Sequence, residues 1–95
     1  MASIEPACGK VDGGWRCTVT VSDDASTSTH EVTVSDDDAV RLAAATDEGG
    51  IERLLYETFD FLLEREPKES ILSTFDVSVI GGYFPEFERV ISRGA

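Results

Sequence analysis

The sequence predicts an α+β domain, with an N-terminal antiparallel β-hairpin or three-stranded meander followed by four to five helices packed around a central helix. Three observations predict this class. Residues 15–22 and 30–34 alternate apolar and polar side chains, which is typical of half-buried strands. Residues 51–66 carry apolar side chains at helical spacing. The 95 residues contain no internal repeat and are predicted to form one domain, 1–95.

The segment 51–66 is predicted to be the central helix. Its polar residues fall on one narrow stripe: Arg53, Glu57, Asp60 and Glu64. Apolar side chains cover most of the remaining circumference, so this helix needs neighbours on two sides. Pro67 has no amide hydrogen and disfavours helical geometry at the residue before it, so we expect the helix to end near Arg65.

The N-terminal third is predicted to form the sheet. The side chains expected on its buried face occupy every second position of each strand: Trp15, Cys17, Val19, Val21, His30, Val32 and Val34. The polar stretch 23–29 between the two strands is expected to form a loose, mobile loop. Asp12-Gly13 is a favoured hairpin turn, which favours a third strand near residues 4–11.

The two cysteines are expected to face each other in that meander. A two-residue turn at positions 12 and 13 places Cys8 opposite Cys17 in a non-hydrogen-bonded pair, where side chains approach most closely. We expect free thiols in a reducing cytoplasm and ready bridging on oxidation. The spacing of the cysteines and the single histidine, His30, do not match a zinc site, so no metal ligand is predicted.

A further helix is predicted before the central one. Ser35 and Asp38 are expected to exchange capping bonds at the start of a helix from Asp36 to Ala45. Its small apolar face is expected to comprise Val40, Leu42, Ala43 and Ala44. Residues 46–50, TDEGG, are expected to form a turn, because three polar residues precede two glycines.

The C-terminal third is predicted to be helical. After Pro67, three apolar residues stand at helical spacing: Ile71, Leu72 and Phe75. Residues 76–82 fit either a strand or a helix capped by Asp76, and we favour the helix. Pro85 is expected to open a last helix with an inward stripe of Phe84, Phe87, Val90 and Ile91.

Residues 61–91, FLLEREPKESILSTFDVSVIGGYFPEFERVI, resemble a small family of bacterial and archaeal proteins that share the FLLEREP, SIL and YFPEF motifs. The resemblance covers about a third of the chain. The family has no established activity, ligand or catalytic residue, so the resemblance implies only that this segment is a recurrent unit. Gly81 and Gly82 interrupt the continuous helix expected before YFPEF, at a cost of about 1 kcal/mol per glycine relative to alanine.

The charge balance limits the classes of partner. Nineteen acidic residues against eight basic ones give a formal net charge of −11, which repels phosphate backbones and argues against direct nucleic-acid binding. The composition is halophile-like, being rich in acidic residues and poor in lysine. No apolar run approaches the roughly 20 residues that span a bilayer, and the first residues lack the features of a secretory signal. We therefore expect a cytoplasmic protein without membrane contact.

The sequence presents no catalytic or cofactor-binding constellation, and none is predicted. The leading hypothesis is a small non-enzymatic interaction or structural protein, in which an apolar patch of Tyr83, Phe84 and Phe87 binds a protein partner or a second copy. A second hypothesis is an acidic regulator that engages a basic protein surface or mimics nucleic acid. Its contact surface would comprise Asp23, Asp24, Asp36, Asp37 and Asp38. A third is an unrecognised enzyme that uses His30 and nearby carboxylates.

The net charge predicts that stability rises with salt. Self-repulsion at −11 opposes the compact state, and the Debye length falls from about 10 Å at 0.1 M to about 3 Å at 1 M. The urea midpoint measured in potassium chloride should therefore increase from low to molar concentration, since urea adds no ionic strength. A flat or falling midpoint would contradict this expectation.

Overall fold

A computed structural model describes residues 2–43 and 45–94, with side chains through Ile91. Four strands form one sheet in the order β1-β2-β3-β4: β1 Ser3–Val11, β2 Gly14–Ser22, β3 Thr27–Ser35 and β4 Thr74–Asp76. The α-helices in this part of the chain number four: α1 Asp36–Leu42, α2 Glu48–Leu63, α3 Ile80–Tyr83 and α4 Phe87–Gly94. Two 3-10 helices span Lys68–Ser70 and Val77–Val79. The α+β class is confirmed, and the predicted helix count is matched roughly.

The predicted three-stranded meander is confirmed, with the register set by the turn at Asp12 and Gly13. Gly13 has a positive φ of 79°, a backbone conformation that glycine adopts without a steric penalty. β1 pairs antiparallel with β2, and β2 pairs antiparallel with β3. The inward side chains of β2 and β3 are buried as predicted: Trp15, Cys17, Val19, Val21, His30, Val32 and Val34. The opposite face is polar and wet, as in many antiparallel sheets.

The connection between β2 and β3 is shorter than predicted. It contains only residues 23–26, because residues 27–29 continue the pairing with β2. Within it, the Asp23 carboxylate accepts hydrogen bonds from the backbone N–H groups of Ala25 at 2.8 Å and Ser26 at 2.9 Å. The seven-residue loop expected from the sequence is wrong, because Thr and Ser side chains are compatible with a wet strand end.

Helix α1 begins with the predicted cap. The Ser35 hydroxyl accepts a hydrogen bond from the Asp38 N–H at 3.1 Å. The reciprocal bond is not made, because the Asp38 carboxylate binds the Arg41 guanidinium instead. The serine alone is therefore the cap of this helix.

The body of α1 is shorter than predicted. The helix ends at Leu42, before the predicted Ala45, and Ala44 lies outside the described residues. Leu42 is buried and Ala43 is partly buried against the core, as expected. Val40 is 74% exposed, so its place on the predicted apolar face is wrong.

Helix α2 is the predicted central helix, shifted towards the N-terminus. It begins at Glu48 because the Asp47 carboxylate accepts a hydrogen bond from the Gly50 N–H at 2.8 Å, a cap that was not predicted from the sequence. A Cβ atom on Gly50 would collide with the Ala45 carbonyl oxygen, so glycine is needed there. The helix packs against β1 and β2 and buries six large apolar side chains: Ile51, Leu54, Leu55, Phe59, Phe61 and Leu62.

The segment after α2 contains a strand that was not predicted from the sequence. The helix predicted through Ile71, Leu72 and Phe75 is wrong, because β4 runs parallel to β3 and pairs Phe75 with Val32. Ile71 and Phe75 are buried in an extended chain, so their helical spacing has no structural meaning. The helix favoured for 76–82 is partly right, since the 3-10 helix Val77–Val79 is capped by Asp76 and continues into α3.

Helix α4 completes the core from the C-terminal side. It begins two residues after Pro85, and Phe87 and Ile91 are buried as predicted. Val90 is exposed and Phe84 is only half-buried, so the predicted inward stripe is narrower than expected. Phe87 packs its ring edge-on against Phe61 of α2, with ring centroids 5.2 Å apart.

Cys8 and Cys17 form a disulfide, so the expectation of free thiols is wrong. The predicted pairing is confirmed, and the Cα atoms of this cross-strand pair lie 4.1 Å apart. Both cysteines are buried on the sheet face that α2 covers. The Cys8 N–H points away from β2 and donates to the Glu52 carboxylate at 3.0 Å, so α2 also covers part of the free edge of β1.

The disulfide should contribute to stability through the loop that it closes. A loop of about ten residues corresponds to about 2–3 kcal/mol in the chain-entropy description, a large part of a total of roughly 5–15 kcal/mol. The double substitution Cys8→Ala and Cys17→Ala should lower the free energy of unfolding by that amount in urea titrations. Dithiothreitol should lower the wild-type midpoint and leave the double variant unchanged. Equal midpoints for the wild type and the double variant, each with and without dithiothreitol, would contradict the prediction.

Candidate functional site

An apolar groove of about 190 Å³ lies between the C-terminal end of α2, the segment 70–75 and α3. Its walls come from consecutive elements of one stretch of the chain, residues 62–84. The lining residues are Leu62, Glu66, Ser70, Ile71, Leu72, Phe75, Val79, Ile80, Tyr83 and Phe84. Because nearly all of these side chains are apolar, the groove suits an apolar ligand group better than a charged one.

The floor of the groove is fixed by the sheet. Phe75 is held by the pairing of β4 with β3, and its ring contacts that of Phe59, with centroids 6.1 Å apart. The other end of β4 is held where the Thr33 hydroxyl donates to the Asp76 carboxylate at 2.6 Å. Partial burial raises the pKa of Asp76, but the hydrogen bonds from Thr33 and Ser78 outweigh it and lower that pKa.

Exposed apolar side chains converge on this groove. Seven large apolar side chains are exposed in the described part of the chain, and three of them line it. Tyr83 is 70% exposed, Leu72 50% and Val79 38%. Singly exposed apolar residues are ordinary, whereas a cluster around a concavity is typical of a binding surface.

The structure brings together two of the three residues of the predicted apolar patch. Tyr83 and Phe84 line the groove, with Phe84 half-buried against Phe61 at a centroid distance of 5.7 Å. Phe87 does not line it, because its side chain is only 2% exposed and belongs to the core. Leu72 and Val79 were not predicted as site residues: the exposure of Leu72 depends on the extended path of residues 71–76, and Val79 lies in the 3-10 helix that follows it.

The wall that contains Ser70, Ile71 and Leu72 is attached to the β2–β3 connection by a buried lysine just before it in the chain. Lys68 is 5% exposed, and its ammonium group donates to Asp23 at 2.8 Å and to Glu69 at 2.7 Å. The hydrogen bond to Asp23 is the main reason that the pKa of Lys68 is raised. The same bond, with the backbone N–H groups of Ser26 and Ala25, lowers the pKa of Asp23 from 3.8 to about 2.

His30 attaches the same wall at a second point. Its Nδ1 lies 2.8 Å from the Leu72 carbonyl oxygen, and its Nε2 lies 2.8 Å from the Ser28 hydroxyl. The ring is 2% exposed and packs on Phe59, with centroids 5.2 Å apart. Both ring nitrogens are therefore occupied, and the imidazole does not line the groove.

A second concavity lies between α2 and α4. Its lining includes the three carboxylates of the polar stripe of α2. Its lining residues are Glu57, Asp60, Phe61, Glu64, Arg65, Val90 and Ile91. The Arg65 guanidinium lies over the Phe61 ring, 3.6 Å from its centroid, and donates to the Phe61 carbonyl at 2.9 Å. Four of its seven lining residues are charged, so this concavity suits an apolar ligand group less well than the apolar groove does.

The five aspartates of the predicted acidic surface lie at two separate places. Asp23 and Asp24 are in the β2–β3 connection, whereas residues 36–38 begin α1 at the other end of β3. β3 has nine residues, which at about 3.3 Å per residue separate its ends by roughly 26 Å. Three of the five carboxylates are already paired: Asp23 with Lys68, Asp36 with Lys10, and Asp38 with Arg41.

Residues 2–43 and 45–94 contain no cluster of histidine, cysteine and carboxylate side chains that could hold a metal ion. Cys8 and Cys17 are bonded to each other, and His30 binds backbone and hydroxyl groups. Among the helices of this same part of the chain, none is long and apolar enough to cross a membrane.

Comparison with protein families, curated proteins and solved structures finds no match for this chain. The apolar groove is therefore interpreted from its own geometry.

From the Asp23–Lys68 pair we predict how the stability of the protein depends on pH in the acid range. Because the pKa of Asp23 is depressed in the folded protein, its contribution to stability is present above pH 3.8 and is lost as the pH falls through about 2. The urea midpoint of Asp23→Asn should therefore fall less steeply than that of the wild type between pH 4 and 2.

Asp24→Asn is the matched control, because it removes the same charge from the neighbouring exposed residue. No side-chain hydrogen bond or ion pair of Asp24 occurs within the described contacts. This variant should follow the wild-type curve. If both variants change the acid dependence equally, the effect is one of net charge and not of the ion pair.

Proposed function

We propose that this protein is a non-enzymatic interaction module whose apolar groove receives a large apolar side chain from a basic partner protein. The observation that carries the proposal is the convergence of Leu72, Val79 and Tyr83, all exposed, on one concavity. Apolar anchors that fill pockets supply much of the energy of protein recognition, since burial yields roughly 25 cal/mol per Å².

The charge of the chain supports a basic partner over a second copy. Two copies that each carry −11 repel one another, whereas a basic surface is attracted and steered towards the protein. The charged residue among those that line the groove is a carboxylate, Glu66, which favours a lysine or arginine beside the apolar anchor. A homodimer through the groove is the alternative outcome of the test below.

Two other hypotheses from the sequence stay proposals with weaker support. An acidic regulator would have to contact two aspartate groups roughly 26 Å apart, most of whose carboxylates are already paired. An enzyme using His30 would have to release its ring from both hydrogen bonds before it could act as a base. Cytoplasmic location and the absence of direct nucleic-acid contact also stay predictions from composition.

The test uses a synthetic peptide of about twelve residues that carries one central tryptophan flanked by lysines. Matched peptides replace the tryptophan with alanine or the lysines with glutamates. We expect the tryptophan–lysine peptide to bind at least about tenfold more tightly than the alanine peptide, a difference of about 1.4 kcal/mol. In NMR titrations the largest shifts should occur at Leu72, Val79 and Tyr83.

Val79→Ser and Val40→Ser form a matched pair of protein variants. Both valines are exposed, but only Val79 lines the groove. Val79→Ser should weaken peptide binding several-fold, whereas Val40→Ser should bind like the wild type. Equal affinity for the tryptophan and alanine peptides would refute the proposal. Concentration-dependent dimerisation that Val79→Ser abolishes would identify a second copy as the occupant.

A further inference from the structure

We propose that His30 is the positioning residue of the groove: its neutral imidazole, protonated at Nδ1, holds the Leu72 carbonyl and thereby fixes the wall from which the Leu72 side chain enters the groove. The role assigned to the groove rests on the proposed function. The hydrogen bond and its effect on the wall do not, and they are measured separately below.

The partners of the ring determine its tautomer. A backbone carbonyl oxygen only accepts hydrogen bonds, so Nδ1, which lies 2.8 Å from the Leu72 oxygen, must carry the hydrogen. Nε2 of a neutral ring is then an acceptor, and the Ser28 hydroxyl at 2.8 Å is its donor. The Leu72 carbonyl thus selects the tautomer, and the Ser28 hydroxyl, which can donate or accept, adapts to it.

The hydrogen bond between His30 and the Leu72 carbonyl matters for the position of the wall, because few other backbone bonds hold this part of the chain. Residues 71–73 belong to neither the preceding 3-10 helix nor β4, so they lack a regular backbone ladder. Two consecutive carbonyls connect them to β3: Leu72 O accepts from the His30 ring, and Ser73 O accepts from the Glu31 N–H at 2.8 Å. The His30 side chain therefore extends the attachment of this segment to β3 from Ser73 to Leu72, two residues before β4 begins.

The ring also supports the floor of the groove. His30 packs on Phe59, and Phe59 contacts Phe75, which lines the groove. One buried residue of β3 thus reaches the groove along two routes, a hydrogen bond to its wall and a chain of ring contacts to its floor.

Two uncharged variants test the hydrogen bonds of the two ring nitrogens separately. His30→Asn places an amide nitrogen near the position of Nδ1, where it can still donate to the Leu72 carbonyl. His30→Gln places its amide near the position of Nε2, where it can bind Ser28 but not Leu72. Both variants shorten or replace the ring that packs on Phe59, so loss of ring packing is common to the two and does not explain a difference between them.

The experiment combines NMR of the intact protein with binding of the tryptophan–lysine peptide. In the wild type, the imidazole ¹⁵N shifts should show a protonated Nδ1 and an unprotonated Nε2. His30→Gln should move the Leu72 carbonyl and methyl signals and weaken peptide binding about tenfold, as expected for one lost hydrogen bond at a binding wall. His30→Asn should keep those signals near their wild-type positions and bind within about threefold.

The outcomes distinguish this inference from the proposed function. A wild-type ring protonated at Nε2, or a folded His30→Gln variant with unchanged Leu72 signals, would overturn the positioning role. If the peptide fails to bind the wild type, the proposed function is wrong, and the ¹⁵N and Leu72 signals still decide the role of His30. If His30→Gln does not fold, the positioning role is judged from two measurements: the protonated nitrogen of the wild-type ring and the Leu72 signals of His30→Asn.

Discussion

The turn at Asp12 and Gly13 is the constraint on which the rest of the structure depends. A register shift of one residue would exchange the two faces of β1, exposing Cys8 and the partly buried Ile4. With the observed register, the apolar residues of the three antiparallel strands share one face, and the two cysteines meet on it. That face is the surface on which α2 packs, so the position of the central helix follows from the geometry of a two-residue turn.

The segment from Lys68 to Asp76 depends on a different kind of interaction. It comes after α2 in the chain and returns to the sheet. There it is held mainly by polar contacts with residues that are distant in the sequence. Lys68 binds Asp23, 45 residues away, and the carbonyl of Leu72 binds His30, 42 residues away. Buried polar groups are costly unless they are paired, so each partner determines where the other can lie. The groove exists because these contacts hold the segment extended instead of helical.

This difference explains what the sequence could predict. The meander, the register, the Ser35 cap and the central helix rest on local patterns, and all were predictable from periodicity and turn chemistry. β4 was not, because three residues that pair in parallel with a distant strand leave no periodic signal. The groove was predicted only through Tyr83 and Phe84, since the exposure of Leu72 follows from the extended path into β4 and Val79 lies in a stretch, 76–82, whose pattern fits either a strand or a helix. His30 was correctly expected in the buried face of the sheet, but its contact with Leu72 could not be read from the sequence.

The placement of the basic residues shows how a chain with so many carboxylates keeps its parts together. In the described structure, four cations connect elements that are distant in sequence: Lys10 binds Asp36, Arg41 binds Glu88, Arg65 binds Glu86 and Lys68 binds Asp23. Exposed pairs of this kind contribute at most about 1 kcal/mol each, too little to offset general repulsion. Their effect is on position, because among many equivalent carboxylates a scarce cation selects one neighbour. Lys68 is the buried member of this set, so the pair that salt screens least is also the one that holds the wall of the groove.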